Sequence, residues 1–458
     1  MNVIIFSAIW GVLMMYVGFI AKHKNVPTYV AIAGIILLLV VNWMEYLGMF
    51  FFNVNTKGML EYDSFSLIFN QVILFSTLVY FLLSGSQVSS FKNNASDLYA
   101  LIFFIITGIS VVAGFKSLLM LFIGIEIISI PLYVLAGSEK SNLKSNEAAL
   151  KYFLMGAFST GLMLMGIAFL YGNAGTFMLE GIQIGSTEIT PMLSIGLILL
   201  LCSMSFKVSA APFHFWTPDV YDGSPTVFTS FMATIVKSAA FFAFFKLFQN
   251  AFGSIKEEWG LLVAIIAVFT LLIGNITAVF QQSFKRMLSY SSIAQAGFML
   301  LGVFAMNSFA KQGLILYFAA YSLATIGIFA VIAQFKDHSI EAFNGFAKQY
   351  PLVAFGMLIC ILSLAGIPLT AGFFAKYYML LGVIEHGNML WVAIFAVICA
   401  AVSVYYYFRV VQAIYFKETT IHADVQFSKP FGYIMLVNAG LIIVLGIHPD
   451  WLLSYLNI

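Results

Sequence analysis

Apolar runs of about twenty residues recur along this chain with almost no charge inside them, and that is the length a helix needs to cross a lipid bilayer. The stretches 29–43, 98–114, 191–206 and 261–280 are examples. Of the 458 residues, 62% are hydrophobic and only 9% charged, whereas a soluble domain carries about 25% charged residues. A surface so poor in charge must face lipid. Inside hydrocarbon every backbone N–H and C=O has to be satisfied by the chain itself, which leaves helices or a closed barrel. Barrel strands are about ten residues long and alternate in polarity, a pattern absent here. The expected fold is all-α and polytopic. A net charge of +2 gives no footprint for nucleic acid. The opening Met1-Asn2-Val3-Ile4 lacks the basic segment and cleavage site of a signal peptide, so the first apolar run reads as a retained span.

Polar breaks divide the chain into about fourteen candidate helices joined by short loops. The longest loop, about 173–190, carries Glu180 and Glu188 and no Lys or Arg. Cations concentrate on alternate loops, and this bias sets orientation. One side holds Lys22, Lys24, Lys92, Lys140, Lys144, Lys285, Arg286, Lys336, Lys348, Lys417 and Lys429; the other holds Lys57, Lys116, Lys246, Lys256 and Lys311. The richer side is expected inside, with both termini outside. An internal repeat is suggested by Lys207 and Lys376, each in a proline-broken apolar segment, 169 residues apart. The same offset carries Glu126 to Gln295. Paired interrupted segments point to a transport site at a repeat interface.

A few charges remain that no loop explains. Lys207, Lys237 and Lys376 each sit among long apolar runs, and Glu126 lies deep in the segment 118–131. A charge at the bilayer centre costs about 2.5–3.5 kcal/mol on an insertion scale, and residues kept at that cost serve ion or proton paths. A low-dielectric setting favours the neutral amine and a nearby carboxylate favours the ammonium. A buried lysine with a movable acidic partner is therefore a proton switch. The plain alternative is a snorkelling or structural charge, and it is the better reading for Lys246 and Arg409. Lys151, one turn inside its helix, is balanced between the two. Glu45 reads as an interfacial acid without a role.

Pro131 and Pro212 follow Glu126 and Lys207 by five residues each, and Pro368 precedes Lys376 by eight. A proline in a helix frees a carbonyl, which can hold water or the charge itself. Polar residues placed to complete a wire are Ser129, Ser205, Ser209, His214, Thr234, Ser238, Tyr290, Ser291, Ser292 and Gln295. In membrane helices serine and threonine more often bond their own backbone or a neighbouring helix. His214 leads this group, because it lies in a broken segment and titrates near neutral pH.

Long stretches of this sequence resemble the antiporter-like proton-channel family of respiratory complex I (NADH-quinone oxidoreductase), its subunit N branch in particular. The resemblance rests on residues 206–225 (FKVSAAPFHFWTPDVYDGSP), 124–132 (GIEIISIPL), 285–292 (KRMLSYSS) and 362–376 (LSLAGIPLTAGFFAK). It implies 14 helices with two inverted five-helix repeats and broken helices 7 and 12. The corresponding divisions are an N-terminal three-helix segment 1–96, proton half-channels at 97–249 and 259–416, and a C-terminal helix at 417–458. It implies a proton relay in which Glu126 is the acid of the fifth helix, Lys207 its partner, Lys237 the central lysine and Lys376 the terminal one, with Lys151 a further member. The segment 217–221 favours the N branch, and Lys376 stands where the M branch typically has glutamate. Relatives often carry histidine where this chain has Gln295, which cannot titrate.

The resemblance places NADH, FMN, iron–sulfur clusters and quinone in partner subunits of a bacterial inner-membrane complex, with no cofactor in this chain. The cysteines agree: Cys202, Cys360 and Cys399 lie far apart in apolar runs and form no Cys-x-x-Cys pair. The expected partners are other membrane-arm subunits, the bilayer and protons. A subunit of a cation/proton antiporter or membrane-bound hydrogenase is the nearest rival, which neighbouring genes would separate. A non-conducting structural subunit would lose nothing on removal of a buried lysine, and a free-standing quinone enzyme would carry its own flavin or metal.

Overall fold

The computed structural model describes residues 1–20, 23–52, 54–91, 95–184, 189–387, 389–418 and 425–456; Lys22, Lys92 and Glu188 lie outside them. The helices, in chain order, are α1 (Asn2–Ile20), α2 (Val26–Tyr46), α3 (Ser64–Ser89), α4 (Ala95–Gly114), α5 (Leu118–Ala136), α6 (Leu143–Ala174), α7 (Leu179–Ile184), α8 (Pro191–Lys207), α9 (Trp216–Gly223), α10 (Thr226–Phe231), α11 (Lys237–Phe252), α12 (Lys256–Val279), α13 (Phe284–Ala305), α14 (Ser308–Ile332), α15 (Phe346–Gln349), α16 (Pro351–Ala365), α17 (Ala371–His386), α18 (Leu390–Phe416), α19 (Lys429–Ile447) and α20 (Asp450–Leu453). A π-helical turn, Met232–Val236, joins α10 to α11. The long acidic loop contains α7, which packs on α11.

The helix starts follow local chemistry. Asp63 accepts from Ser66 N at 2.9 Å, Asn142 from Lys144 N at 3.0 Å, Thr190 from Leu193 N at 3.1 Å and Asn307 from Ala310 N at 3.0 Å. Each satisfies one of the amides that a first turn leaves without a partner. Pro27, Pro191, Pro351 and Pro430 lie in first turns, where a missing N–H costs nothing.

Among the described residues, eleven helical segments are long and apolar enough to cross a membrane. One of these, Thr226–Val279, runs for 54 residues; straight, it would measure about 81 Å at 1.5 Å per residue, far beyond the roughly 30 Å of hydrocarbon. It folds back at the 3₁₀ turn Gly253–Ile255, bringing the Trp259 ring to 5.0 Å from Phe248. The centre of the bundle is α13 and α14: the most apolar window of α14 is wholly buried, while that of α1 is only 22% buried and faces outward. Around α14 pack α3, α13, α16, α17 and α19.

Two apolar helices are short because they are broken. The first crossing is α8 and α9, with residues 208–215 between; the second is α16 and α17, with 366–370 between. The lysines flank these breaks from opposite sides, Lys207 ending α8 and Lys376 lying inside α17. The 169-residue offset therefore does not superpose one break on the other, since Pro212 and Pro368 are 156 residues apart.

Candidate functional site

Three lysine amines lie inside the bundle near these interruptions. Lys207 is the last residue of α8 and reaches across to α5, donating to Ser129 Oγ at 3.1 Å. Ser129 in turn donates to Ile125 O at 2.8 Å. One turn earlier on α5, half-buried Glu126 accepts from Thr160 of α6 at 2.8 Å. Acid and amine thus share one corner of α5, each holding a neutral hydroxyl. Among the described residues no carboxylate lies within 4 Å of Lys207, Lys237 or Lys376.

Lys237 is 2% exposed. It follows the π-helical turn, a feature frequent at functional sites. Its amine donates to Ser292 Oγ and, at 3.2 Å, to Ser292 O, and lies 5.7 Å from the centre of the Tyr221 ring.

Lys376 is 7% exposed and donates to Leu364 O at 2.9 Å and Ala365 O at 3.0 Å, with the Phe298 ring 4.9 Å away. The sequence explains this contact. In a continuous helix Leu364 O would accept from residue 368, but that residue is proline and has no N–H. Gly366 ends α16 at φ +82°, a left-handed conformation suited to glycine. The last carbonyls of α16 are left over, and an ammonium occupies them. Gln295 Nε2 also donates to Leu364 O, at 3.0 Å.

The other break has its own anchors. Trp216 Nε1 donates to Phe206 O at 3.1 Å, and Ala211 N donates to Thr270 Oγ1 at 2.9 Å. His214 lies in this break, 6% exposed, and its Nδ1 makes no hydrogen bond. Ser205 and Ser209, at the end of α8 and just past it, and Ser238, next to Lys237, also have buried hydroxyls without partners. Thr234 bonds its own backbone at Ser230 O, 2.6 Å away. Buried polar atoms are normally satisfied, so this string of unsatisfied ones suits solvent more than apolar packing.

Several charges sit elsewhere than their sequence context suggests. Lys151 bonds none of the groups that hold those three amines and lies in a half-exposed ion cluster: it meets Glu147 at 2.8 Å and Asp219 at 2.9 Å, and Arg286 meets Asp219 at 3.3 Å. Lys285, assigned above to a loop, is 2% exposed and donates to Asp222 O at 2.9 Å and Ser224 O at 2.6 Å. Lys246, counted above among the cations of the outer side, is 7% exposed and donates to Ser66 Oγ at 3.0 Å and Ala113 O at 2.6 Å. Glu45, read as interfacial, is buried and bonds the amine of Met1 and the amide of Asn2. Arg409, seven residues inside the end of α18, reaches the end of α12 and donates to Val279 O at 2.6 Å.

The aromatic partners of the lysines, Tyr221 and Phe298, were not legible in the sequence, and neither were Tyr317, Tyr321 and Tyr407. Their one signal is a hydroxyl inside an apolar span, with Tyr317 and Tyr321 one turn apart. Among the described residues no cluster of three or more His, Cys, Asp or Glu could hold a metal.

Residues 116–403 match the family model described as NADH:quinone oxidoreductase/Mrp antiporter, TM. NADH-quinone oxidoreductase subunit N of Cytophaga hutchinsonii is 39% identical over 463 residues, covering 99% of each protein. That of Flavobacterium psychrophilum is 36% identical over 467 residues, covering all of both. Among solved structures, a chain of respiratory complex I from Thermus thermophilus with bound aureothin superposes at a TM-score of 0.84 with 30% identity, covering 99% of this chain and 98% of that one. A chain of the Mrp complex from Dietzia sp. DQ12-45-1b shares the fold at a TM-score of 0.87 and 17% identity, covering 99% and 95%. By these matches the chain belongs to the NADH-quinone oxidoreductase subunit N family of antiporter-like, multi-pass membrane proteins.

Proposed function

We propose that this chain is a proton-translocating membrane-arm subunit of NADH-quinone oxidoreductase, in which electron transfer from NADH to quinone in partner subunits drives protons through Glu126, Lys207, Lys237 and Lys376. One observation carries the reading: buried Lys237 and Lys376 and half-buried Lys207 turn their amines into an apolar helical bundle, where each is held by neutral oxygens. Such a cation is easily biased by an acid that approaches or withdraws. Glu126 is placed for that part, on the same corner of α5 as the Ser129 that holds Lys207. Its movement toward the amine favours the ammonium; its withdrawal favours release toward Lys237, and from there to Lys376. His214, with a free ring nitrogen in the first break, serves the stretch between Lys207 and Lys237. Lys151, bridging Glu147 and Asp219, serves as a loading point at the mouth of the first half-channel.

The helix order supports fourteen crossings, with the folded-back run counted as two and each broken pair as one. It also supports two five-helix repeats. Ala95, Leu118, Leu143, Pro191 and Thr226 begin one set, and Lys256, Phe284, Ser308, Pro351 and Leu390 begin the other, each pair 160–166 residues apart. Taking the buried Lys246 and Lys285 out of the loop count leaves the excess of cations on the same side, consistent with both termini outside a bacterial inner membrane. FMN, iron–sulfur clusters, NADH and quinone then belong to partner subunits, and this chain needs no redox centre of its own.

The test is proton pumping against NADH oxidation in inside-out vesicles holding fully assembled complex. Glu126→Ala and Lys237→Ala should each lower the protons moved per NADH oxidised. Wild-type pumping by both assembled variants would overturn the proposal.

A further inference from the structure

Between Lys237 and Lys376 stands Gln295, an amide that cannot pass a proton as an imidazole would. The structure surrounds it with hydroxyls. Tyr317 donates to Gln295 Oε1, Gln295 Nε2 donates to Tyr407 Oη at 3.0 Å, and Tyr407 and Ser291 share a hydrogen bond. With its remaining N–H on Leu364 O, Gln295 has a partner on each polar atom. It ties α13 to α14, α18 and the frayed end of α16.

Beside this network lies a cavity of about 10 Å³, lined by Gln295, Tyr317, Tyr321, Ser363, Leu364 and Lys376 among others. That is about the space one water needs, and Tyr321 and Lys376 both border it. The Tyr321 hydroxyl is buried and closes no hydrogen bond. It lies beside Ser292 and Thr325, and Ser292 Oγ holds the Lys237 amine. Tyr321 thus adjoins both the serine on Lys237 and a water-sized hollow against Lys376.

We propose that Ser292, Tyr321 and one water in this cavity form the proton connection from Lys237 to Lys376, and that Gln295, Tyr317 and Tyr407 are positioning residues for it. The proposal rests on the relay reading above. The transfer balances without an ionised intermediate at rest. An N–H bond of the Lys237 ammonium breaks as an O–H bond forms on Ser292. Ser292 passes its own proton to the Tyr321 hydroxyl, which passes its own to the water. The water gives a proton to the neutral Lys376 amine. One amine has lost a proton, the other has gained one, and every oxygen keeps its count. Gln295 and Lys376 share Leu364 O, so the amide fixes the carbonyl that orients the acceptor.

Tyr321→Phe removes one oxygen and keeps the ring, and Ser292→Ala removes the preceding hydroxyl. In vesicles with fully assembled complex, each should bring the protons moved per NADH down to the level of Lys237→Ala. The double variant should fall no further, because the groups act in series. Tyr99→Phe is the control: its buried hydroxyl meets Thr28 at 3.0 Å, on helices α4 and α2 that contribute nothing to this network, and its pumping should stay at wild type. If Tyr321→Phe does not assemble, Ala320→Val, which fills the same cavity and removes no hydroxyl, carries the same expectation. Wild-type pumping by the assembled variant while Lys237→Ala is impaired removes this connection and leaves the relay standing. Wild-type pumping by Lys237→Ala as well removes the relay itself.

Discussion

Gly366→Ala tests the link between backbone and amine at the second break. Gly366 adopts φ +82°, and an L-residue held in the left-handed region pays about 1–2 kcal/mol. A Cβ there would also lie 2.9 Å from Lys376 Cδ and 3.3 Å from its Nζ. Moving Cδ out to an ordinary carbon–carbon contact of about 3.5 Å takes a shift of about 0.6 Å. Carried along to Nζ, that shift stretches the bonds to Leu364 O and Ala365 O, now 2.9 and 3.0 Å, to about the 3.5 Å limit at which a hydrogen bond is lost. Gly366→Asn separates the two effects, because asparagine tolerates the left-handed region better but carries the same Cβ. The assays are the thermal midpoint for release of this subunit from purified complex, read on native gels, and protons moved per NADH in vesicles. Gly366→Ala should lower both. Gly366→Asn should recover most of the midpoint and little of the pumping. Wild-type pumping in both variants would refute the claim that the lysine's contact with the end of α16 matters to transport.

Other perturbations follow from the same geometry. Gly372→Ala puts a Cβ 1.9 Å from Ser363 O, a backbone clash no rotamer relieves, and should prevent stable assembly on a native gel; Gly161→Ala, with nothing within 4 Å, should leave the thermal midpoint unchanged or raised by up to about 1 kcal/mol equivalent. Lys285→Met strips the amine from Asp222 O and Ser224 O and should cost about 1–3 kcal/mol per carbonyl left unpaired in the buried site, read as a lower midpoint. Asp63→Ala should cost about 1 kcal/mol of α3 stability while Asp63→Asn costs little, since both Asp and Asn cap well. In the loop after α14, the Ser339 amide at 2.9 Å, followed by its hydroxyl, holds the Asp337 carboxyl below its usual range. A depressed carboxyl contributes stability above its unfolded value, about 3.9, and loses it as pH falls through the folded value. Hydrogen-exchange protection of the Ser339 amide should therefore hold at neutral pH and disappear on acidification below that range.

What could be read in advance was whatever hydrocarbon makes expensive. Glu126, Lys207, Lys237 and Lys376 stood out because no apolar run tolerates a charge without cause, and Pro212 and Pro368 marked the breaks because a missing N–H acts locally. What could not be read was which helix a side chain meets. Lys246 and Lys285 have sequence surroundings typical of interfacial lysines, whose long stems can reach water; whether they do depends on the helix ends packed beside them. Lys151 met the opposite fate, since Glu147 one turn away and Asp219 on α9 hold it in a half-exposed cluster. The hydroxyls of Tyr317, Tyr321 and Tyr407 were hidden by their own amphipathic character, because a tyrosine in an apolar helix packs like phenylalanine until its neighbours are known.

The cations packed against the bundle's backbone and serine oxygens fall into two groups, and the division explains why the helices are broken. A helix leaves its last four carbonyls without intrahelical donors and a partial negative charge at that end. In a bundle sheathed by lipid, a cation from a neighbouring helix can meet both needs. Lys246 does so at Ala113 O near the end of α4, Lys256 at Ala305 O ending α13, Lys285 at Asp222 O near the end of α9, and Arg409 at Val279 O ending α12. Lys376 makes the same contact at Leu364 O and Ala365 O, with one difference. Its helix end lies in the middle of the apolar segment 351–386, because Pro368 and Gly366 stop α16 there. Breaking the helix moves an ordinary capping contact from the margin of the membrane to its interior. An ammonium held there by two neutral carbonyls has, among the described residues, no carboxylate within 4 Å to fix its charge, so an acid or a water brought near it can decide whether the proton stays. Lys207 and Lys237 reach a similar state by another route, resting on serine oxygens. In this view the breaks are required at Lys376 and not at Lys237, whose helix keeps its continuity through a π-helical turn. Restoring a continuous helix across 366–368 should therefore disable proton transfer at Lys376 and leave the Lys237–Ser292 contact intact.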